Sequence, residues 1–292
     1  MKNCLICKNK KFKIVWNQKI RSGKNKFTKK KEIILQCLNC DLVFLKKPRK
    51  DLENSAVARL IYNKNNSVQE FLNFHKPREL KKFNLFKKFI NFKNKDILES
   101  NCGAGVLLNI LKKKSKKTTG IDDISYKKYL NQNGHEYFEN FSEAIKKKKR
   151  FDVIFCLSEL EHKYDPINFL EKMKKVLSRS GRIILRIPNY KNIYSMVLGK
   201  YFYKYDFRTS HNYYFSDKNL LFIMKRVGLE IEKKIGLQEY DFNHLLEYIN
   251  LKKRVSGSFR QIISKKNINI VKKNIENSLT STSLVYILKK KL

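Results

Sequence analysis

Residues 96–111, DILESNCGAGVLLNIL, decide the fold of this chain. Their first residues predict a short buried strand, and their apolar end predicts the first turns of a helix. Between these two segments lies a tight loop with Gly103 and Gly105, where the backbone must turn sharply and approach a ligand closely. A strand, a glycine loop and a helix in this order predict the nucleotide-binding corner of an open α/β sheet.

The loop differs from the two common phosphate-binding patterns. A dinucleotide-binding loop would need a third glycine where Leu108 stands, and a P-loop would end in Gly-Lys-Ser/Thr. Glu99, at the start of the loop, would repel a pyrophosphate but suits a ligand with hydroxyls and an ammonium group. Asp122 lies 23 residues further on, after a predicted second strand, where a carboxylate accepts hydrogen bonds from ribose hydroxyls. An adenosine ligand without phosphates indicates S-adenosylmethionine.

Four stretches resemble the corresponding stretches of class I S-adenosylmethionine-dependent methyltransferases. They are LESNCGAG at 98–105, GID at 120–122, FDVIFCLSELEH at 151–162 and LSRSGRIILRIPN at 177–189. The resemblance implies an α/β, Rossmann-like fold with a seven-stranded methyltransferase sheet, in the order 3-2-1-4-5-7-6 and with strand 7 antiparallel. The chain departs from the family at Asn101, where glycine is usual, but asparagine also tolerates a positive φ angle.

The resemblance also assigns contacts with the cofactor to residues at the carboxyl ends of strands 1, 2 and 4. The implied cofactor-binding residues are Glu99, Asn101, Gly103, Gly105, Asp122 and Leu157. Methyl transfer is an in-line displacement whose rate depends mostly on positioning, and a hydroxyl or acidic C–H acceptor also needs a general base. The candidate catalytic bases are His162, just past strand 4, and His211, in the stretch HNYYFS; His244 is a further candidate.

The amino-terminal residues 1–47 predict a zinc ribbon. Two C-x2-C pairs are separated by 29 residues, and they supply the four thiols of a tetrahedral site: Cys4, Cys7, Cys37 and Cys40. A closed four-thiolate site leaves no position for water, so the predicted role of Zn²⁺ is structural. Disulfides are the alternative, and the predicted cytoplasmic location argues against them. That location rests on the lack of a signal peptide and of an apolar run that could span a membrane.

The composition is strongly basic, with 65 lysines and arginines and a formal net charge of +39. Lysine is spread along nearly every segment, so we interpret the charge mainly as a general compositional bias on a solvated surface. An anionic substrate or partner, including nucleic acid, remains the alternative interpretation.

The remaining chain is predicted to consist of a helical connector at 48–94 and the methyltransferase domain at 95–292. The connector is expected to cover the cofactor, with a helix that starts after Pro77. Two insertions, at 189–215 and 238–281, are expected to build the acceptor pocket and its lid, because both follow late strands of the sheet.

The ribbon and the stretch QEYDFNHLL at 238–246 resemble methyltransferases of sugar and surface-polysaccharide pathways. We therefore expect a methyltransferase that acts on a small-molecule or sugar acceptor, with an anionic acceptor such as a nucleotide-linked sugar favoured. One alternative is an RNA methyltransferase that uses the ribbon and the lysines to bind phosphates. A second alternative is a non-catalytic binding protein with a degenerate cofactor loop.

Overall fold

Strands and helices alternate through most of the chain, as the apolar segments predicted. The computed structural model describes residues 3–23, 26–50, 68–251 and 261–291. Parts of the predicted connector (51–67) and of the second insertion (252–260) therefore lie outside the described residues. The chain divides into two compact units. The first comprises Met1–Glu53, Arg186–Arg226 and Lys233–Tyr286, and the second comprises Asn54–Leu185, Val227–Glu232 and Ile287–Leu292.

The amino-terminal segment contributes five short strands to the first unit. They are β1 (Phe12–Gln18), β2 (Arg21–Gly23), β3 (Lys26–Phe27), β4 (Glu32–Cys37) and β5 (Val43–Leu45). Strand β4 pairs antiparallel with β1 on one side and with β5 on the other. Ile34, Val43 and Leu45 are buried, as the apolar stretches of this segment predicted.

The elements after residue 67 follow the predicted alternation. The strands are β6 (Asp96–Ser100), β7 (Lys117–Ile121), β8 (Glu136–Phe138), β9 (Phe151–Leu157), β10 (Leu177–Pro188), β11 (Tyr213–Tyr214), β12 (Leu229–Leu237) and β13 (Ser283–Lys290). The helices are α1 (Val68–Phe86), α2 (Val106–Leu111), α3 (Lys127–Gln132), α4 (Phe141–Lys146), α5 (Pro166–Val176), α6 (Ile193–Leu198), α7 (Lys200–Asp206), α8 (Asp217–Val227), α9 (Phe242–Leu251) and α10 (Lys265–Asn277).

Seven of these strands form one sheet in the order β12-β13-β10-β9-β6-β7-β8. With β6 as strand 1, this arrangement is the predicted order 3-2-1-4-5-7-6 read from the opposite edge. One strand of the sheet is antiparallel, as expected for the Rossmann-like methyltransferase fold. The predicted fold class is thus confirmed.

The glycine loop follows β6, an interior strand of this sheet. Strand β6 pairs in parallel with β7 and β9, with Glu99 opposite Gly120 and Phe155. The apolar residues of β6 and β9, except Leu157 at the end of β9, are fully or almost fully buried, as expected for parallel strands covered on both faces. The carboxyl ends of the three strands therefore meet at one edge, where open α/β sheets bind their ligands.

The prediction that a helix starts after Pro77 is wrong. Pro77 lies inside α1, and the last apolar residues of the predicted helix follow its end at Phe86. A proline inside a helix removes one backbone hydrogen bond. Burial offsets this loss, because the ring of Phe83 packs near Phe92 and the ring of Phe86 packs near Phe155. The stabilisation from packing against the sheet is therefore larger than the cost of placing a proline inside the helix and not in its first turn.

In the first unit, the insertion at 189–215 shares a hydrophobic core with the amino-terminal strands. Strand β11 pairs with β5 and becomes the fourth strand of the small sheet. Tyr190, Phe207 and Tyr214 pack in one buried cluster with Ile20 and Ile34. The side chain of Asn212, just before β11, also forms two hydrogen bonds with the backbone of Arg49. Its Oδ1 accepts from the N–H of Arg49 at 2.7 Å, and its Nδ2 donates to the carbonyl of Arg49 at 2.9 Å.

Among the residues that the structure describes, no helix combines the length and the apolar character needed to cross a bilayer.

Candidate functional site

The predicted cofactor loop turns through three left-handed residues. Asn101, Gly103 and Gly105 have φ angles of 60°, 55° and 70°. Asn101 thus adopts the conformation that the glycine of related chains would adopt with less strain, and the loop keeps its turn despite the substitution. This is the conformational tolerance that the sequence predicted for asparagine.

Two glycines near the loop are needed because other atoms approach them closely. A Cβ atom on Gly105 would lie 2.8 Å from Cδ2 of Leu130, and one on Gly120 would lie 2.6 Å from Sγ of Cys102. Gly120 belongs to β7 and was not predicted as a site residue, although it stands two positions before Asp122. Its missing side chain lets the loop pack directly on β7.

Asp122 connects the loop to the end of β7 through hydrogen bonds. Its carboxylate accepts hydrogen bonds from the backbone N–H groups of Gly103, at 2.6 Å, and of Asp123, at 2.5 Å. The N–H groups of Asn101 and Cys102 donate to the carbonyl of β7's last residue. A carboxylate has about four acceptor positions, so this anchoring role is compatible with the predicted contact with ribose.

Two further predicted cofactor residues also stand at this edge of the sheet. Glu99, in β6, is only 7% exposed, and Leu157 is the half-buried last residue of β9. A buried carboxylate disfavours an anionic ligand and favours a cationic one. Together with Asp122, Glu99 provides carboxylate oxygens that can accept hydrogen bonds from the ammonium and ribose hydroxyl groups of S-adenosylmethionine, and its negative charge suits the sulfonium.

The resemblance implies that Glu159, after strand 4, faces the sulfonium region, but the buried ionic cluster that Glu159 forms was not predicted. Glu159 is 5% exposed; it accepts a hydrogen bond from Oγ of Ser100 and lies 2.8 Å from Nζ of Lys163. The signal in the sequence was the i, i+4 spacing of glutamate and lysine, which is too common to indicate a site. Between β9 and Glu159, Ser158 has a positive φ angle of 59°, which is unusual for a residue other than glycine and tends to occur at functional sites.

The three candidate histidines belong to separate segments of the chain. His162 ends a short 3-10 turn after β9, is 8% exposed, and donates its backbone N–H to the carbonyl of Glu159. His211 belongs to the first unit, is 6% exposed, and its ring lies 5.7 Å from that of Tyr214. His244, also in the first unit, stacks on the ring of Tyr240 at 5.6 Å.

The four amino-terminal cysteines come together as the spacing predicted. Their sulfur atoms all lie within 4.8 Å of one another. The Sγ atoms of Cys4 and Cys40 are 3.6 Å apart, and those of Cys7 and Cys37 are 3.5 Å apart. A tetrahedral zinc site with Zn–S bonds of about 2.3 Å has sulfur–sulfur distances of about 3.8 Å. All six cysteines of the chain are free rather than in disulfides, and this thiol geometry fits a zinc ion.

The two cysteine turns have the same backbone geometry. The residue after each second cysteine is left-handed, with φ angles of 62° at Lys8 and 61° at Asp41. Each of these residues donates its N–H to the carbonyl of the first cysteine of its pair, at 3.0 and 3.1 Å. The hydrogen bond between Cys4 and Cys40 lowers the pKa of the Cys4 thiol to about 5 and raises the pKa of the Cys40 thiol, so the two sulfur atoms share one proton until a metal binds both as thiolates. The repeated turns present the four sulfur atoms toward a common centre.

Comparisons with known proteins agree with this fold. A family described as "Methyltransferase domain" matches residues 69–234. A tRNA U34 carboxymethyltransferase of Nautilia profundicola is 34% identical over 121 residues, which are 37% of this chain and 39% of that protein. A ubiquinone biosynthesis O-methyltransferase of Hydrogenovibrio crunogenus is 25% identical over 205 residues, which are 65% of this chain and 83% of that protein.

A solved structure supports the fold alone. It is a Haloferax volcanii complex between the Trm112 methyltransferase activator and a methyltransferase, and it is 10% identical with a TM-score of 0.51. The alignment covers 84% of this chain and all of the matched chain. The family match, the strand order and the glycine loop agree, and the chain therefore belongs to the class I S-adenosylmethionine-dependent methyltransferases.

Proposed function

We propose that this protein transfers a methyl group from S-adenosylmethionine to a small-molecule acceptor, and that a sugar or nucleotide-linked sugar is the specific acceptor. The observation that carries the proposal is the acidic loop that ends β6. Glu99 and Asp122 are buried there beside left-handed Gly103 and Gly105, an arrangement that rejects phosphates and favours a cationic donor.

S-adenosylmethionine supplies a methyl group on a positively charged sulfur. The protein's part is to bind, orient and exclude water. Glu99 provides negative charge in a site of low water content, where an opposite charge interacts more strongly than in water. Asp122 holds both the loop and the ribose, so the position of the bound donor depends on this carboxylate. His162 or His211 would take the proton of a hydroxyl or acidic C–H acceptor.

Binding of S-adenosylhomocysteine, measured by calorimetry, tests the donor part of the proposal. One-to-one binding is expected. Its absence would favour the non-catalytic alternative, whose main support was the asparagine in the loop. That support is weak, because Asn101 takes the left-handed conformation that the loop requires.

A screen of sugars and nucleotide-linked sugars, read out as turnover of the donor, tests the acceptor. His162→Gln and His211→Gln should each lower turnover and leave S-adenosylhomocysteine affinity unchanged. If neither variant lowers turnover, the assignment of the general base is wrong.

An RNA acceptor is the second candidate, because the 34% identity to a tRNA U34 carboxymethyltransferase favours it. The signs of the charges in the second unit oppose it. The segments at the carboxyl ends of four strands, 99–105, 122–126, 139–140 and 157–165, contain seven acidic residues and one lysine, and such an edge repels a polyanion. Methyl transfer to tRNA, with no transfer to any sugar in the screen, would reverse this choice.

We further propose that the amino-terminal thiols hold one structural zinc ion, in a protein of the reducing cytoplasm. The support is the sulfur geometry of Cys4, Cys7, Cys37 and Cys40. The small sheet beside them has a modest core, and metal binding of this kind contributes roughly 10 kcal/mol or more to folding. Elemental analysis should find one zinc per chain, released by a chelator with loss of this sheet. An intact sheet without metal would contradict the proposal.

A further inference from the structure

Positive charge is concentrated at the amino edge of the sheet in the second unit, which is the side where its parallel strands begin. The segments that lead into three adjacent strands, β9, β6 and β7, are 146–150, 87–95 and 112–117, and the last of these includes Lys117, the first residue of β7. These 20 residues include 14 lysines and arginines and no acidic residue. The whole chain has 65 basic residues among 292, so a uniform lysine bias would place only about a third as many here. Parallel pairing of β6 with β7 and β9 brings the three segments to one edge.

A cavity of about 470 Å³ opens at this edge. Four exposed lysines line it: Lys87, Lys88, Lys93 and Lys114. Its apolar lining includes the half-buried Phe89 and the buried Phe92. The volume lies within the range of small-molecule sites, and the lining combines lysine and phenylalanine side chains.

The cations at this edge lie close together, and four of them also pair with carboxylates: Lys116, Lys117, Lys147 and Lys149. The Nζ atoms of Lys87 and Lys114 lie over the ring of Phe83, at 5.8 and 5.6 Å. Burial lowers the pKa of Lys290, and the charges of Arg150 and Lys174 lower it further. Crowded like charges favour binding of a polyanion, because the polyanion relieves their repulsion.

We propose that the amino edge of the sheet is a docking surface for RNA, in which lysines contact phosphates and a base enters the cavity beside Phe89. Proteins that bind single-stranded nucleic acid combine such a basic track with aromatic rings on which bases stack. A lipid surface would also attract the lysines, but it would not use a concave wall with rings. This surface lies at the opposite edge of the sheet from the donor loop, so the docked RNA is a partner and not the methyl acceptor.

The test is fluorescence anisotropy with a labelled single-stranded RNA across a salt titration. In the variant Lys87→Gln/Lys88→Gln/Lys93→Gln/Lys114→Gln, affinity should fall at least tenfold. The slope of log K against log salt should fall by about 3, since each phosphate contact of a single strand contributes about 0.7. Circular dichroism should show an unchanged fold, because all four side chains are exposed.

The matched control removes four exposed lysines of the first unit: Lys19→Gln/Lys29→Gln/Lys30→Gln/Lys31→Gln. It should retain both affinity and slope. Equal losses of affinity in the two variants would overturn the proposal, because RNA binding would then depend on the net charge of the protein and not on this edge. So would wild-type binding to vesicles of equal parts phosphatidylcholine and phosphatidylglycerol without binding to RNA, which would indicate a membrane surface instead.

A separate variant tests whether a base of the RNA stacks in the cavity. Phe89→Leu removes a ring but retains apolar volume, and it should weaken RNA binding by about fivefold or more with an unchanged salt slope. Unchanged affinity would overturn the placement of a base in the cavity.

Discussion

The two edges of the sheet in the second unit carry opposite charge. At the carboxyl edge, acidic residues predominate, and several of them are buried and bonded within the protein, such as Asp122 and Glu159. At the amino edge, lysines predominate, and most of them are exposed. The net charge of +39 therefore does not describe the ligand site. The sign of the local charge, and its burial, decide which ligand each edge accepts.

The largest expected effect is a difference in the free energy of unfolding between two variants, each of which breaks one ion pair. One pair lies at the carboxyl edge and the other at the amino edge. Lys163 and Lys147 each pair with a glutamate four residues away, at 2.8 and 3.1 Å, but their side chains are 13% and 57% exposed. Lys163→Met should lower the free energy of unfolding by about 3 kcal/mol, because it leaves Glu159 buried without its partner. Lys147→Met should cost under about 0.5 kcal/mol. Urea denaturation of both variants measures the difference, and similar values would mean that burial does not distinguish the two edges.

The next effect concerns the anchor of the loop. Asp122→Ala removes the acceptor of the Gly103 N–H and the predicted contact with ribose, so S-adenosylhomocysteine affinity should fall about 100-fold, from the loss of about 3 kcal/mol in charged hydrogen bonds. The control is Asp123→Ala, which removes an exposed neighbouring carboxylate. Calorimetry should show little change for the control. Equal losses would indicate a general charge effect of this edge rather than a specific anchor.

A smaller effect should follow from neutralising the buried glutamate. Glu99→Gln keeps the size of the side chain and removes its charge, so affinity for S-adenosylmethionine should fall about tenfold, equivalent to about 1.4 kcal/mol. Glu139→Gln is the matched change at an exposed position of the same edge and should leave affinity within about twofold, because water screens that charge. Tighter binding by Glu99→Gln would mean that the pocket does not hold a cation.

The smallest expected effect is a change in the pKa of a histidine that measures the positive potential at the amino edge. Burial lowers the pKa of His135 to about 4, and the charge of Lys112 contributes to this shift. Lys112→Gln should therefore raise the pKa of His135 by a few tenths, measured by NMR titration, while Lys113→Gln serves as the control. Because the folded state holds His135 neutral, its contribution to stability is complete above the ordinary pKa of 6.5 and declines as the pH falls toward 4. A pKa that does not respond to Lys112→Gln would leave burial as its sole cause.

Much of the fold was predictable because its signals are local. Apolar strands, the glycines of the loop and the cysteine spacing each depend on the chemistry of a few neighbouring residues. Pro77 shows the limit of this reasoning: its local preference predicted a helix start, yet the packing of Phe83 and Phe86 carries α1 through it. The core shared by residues 189–215 and the amino-terminal strands was also out of reach, since its partners are far apart in the chain.

Part of the candidate site was predicted in the same way. Glu99 and Asp122 were singled out because a carboxylate at the end of a strand has a recognisable chemistry, and their contacts with the cofactor stay a prediction. The need for a glycine at position 120 and the ion pair of Glu159 with Lys163 were not predicted, because both depend on which atoms approach after folding.

The amino-acid sequence by itself determined that Asn101, Gly103 and Gly105 can adopt a left-handed turn, and it determined the four amino-terminal thiols, because backbone conformation and ligand chemistry are properties of single residues and short spacings. The strand order came from the resemblance of four stretches to the family. Tertiary structure alone decided that lysine-rich segments distant in the chain meet at one edge and acidic segments at the other. Electrostatic potential depends on distances in space, and parallel pairing of strands is what sets those distances.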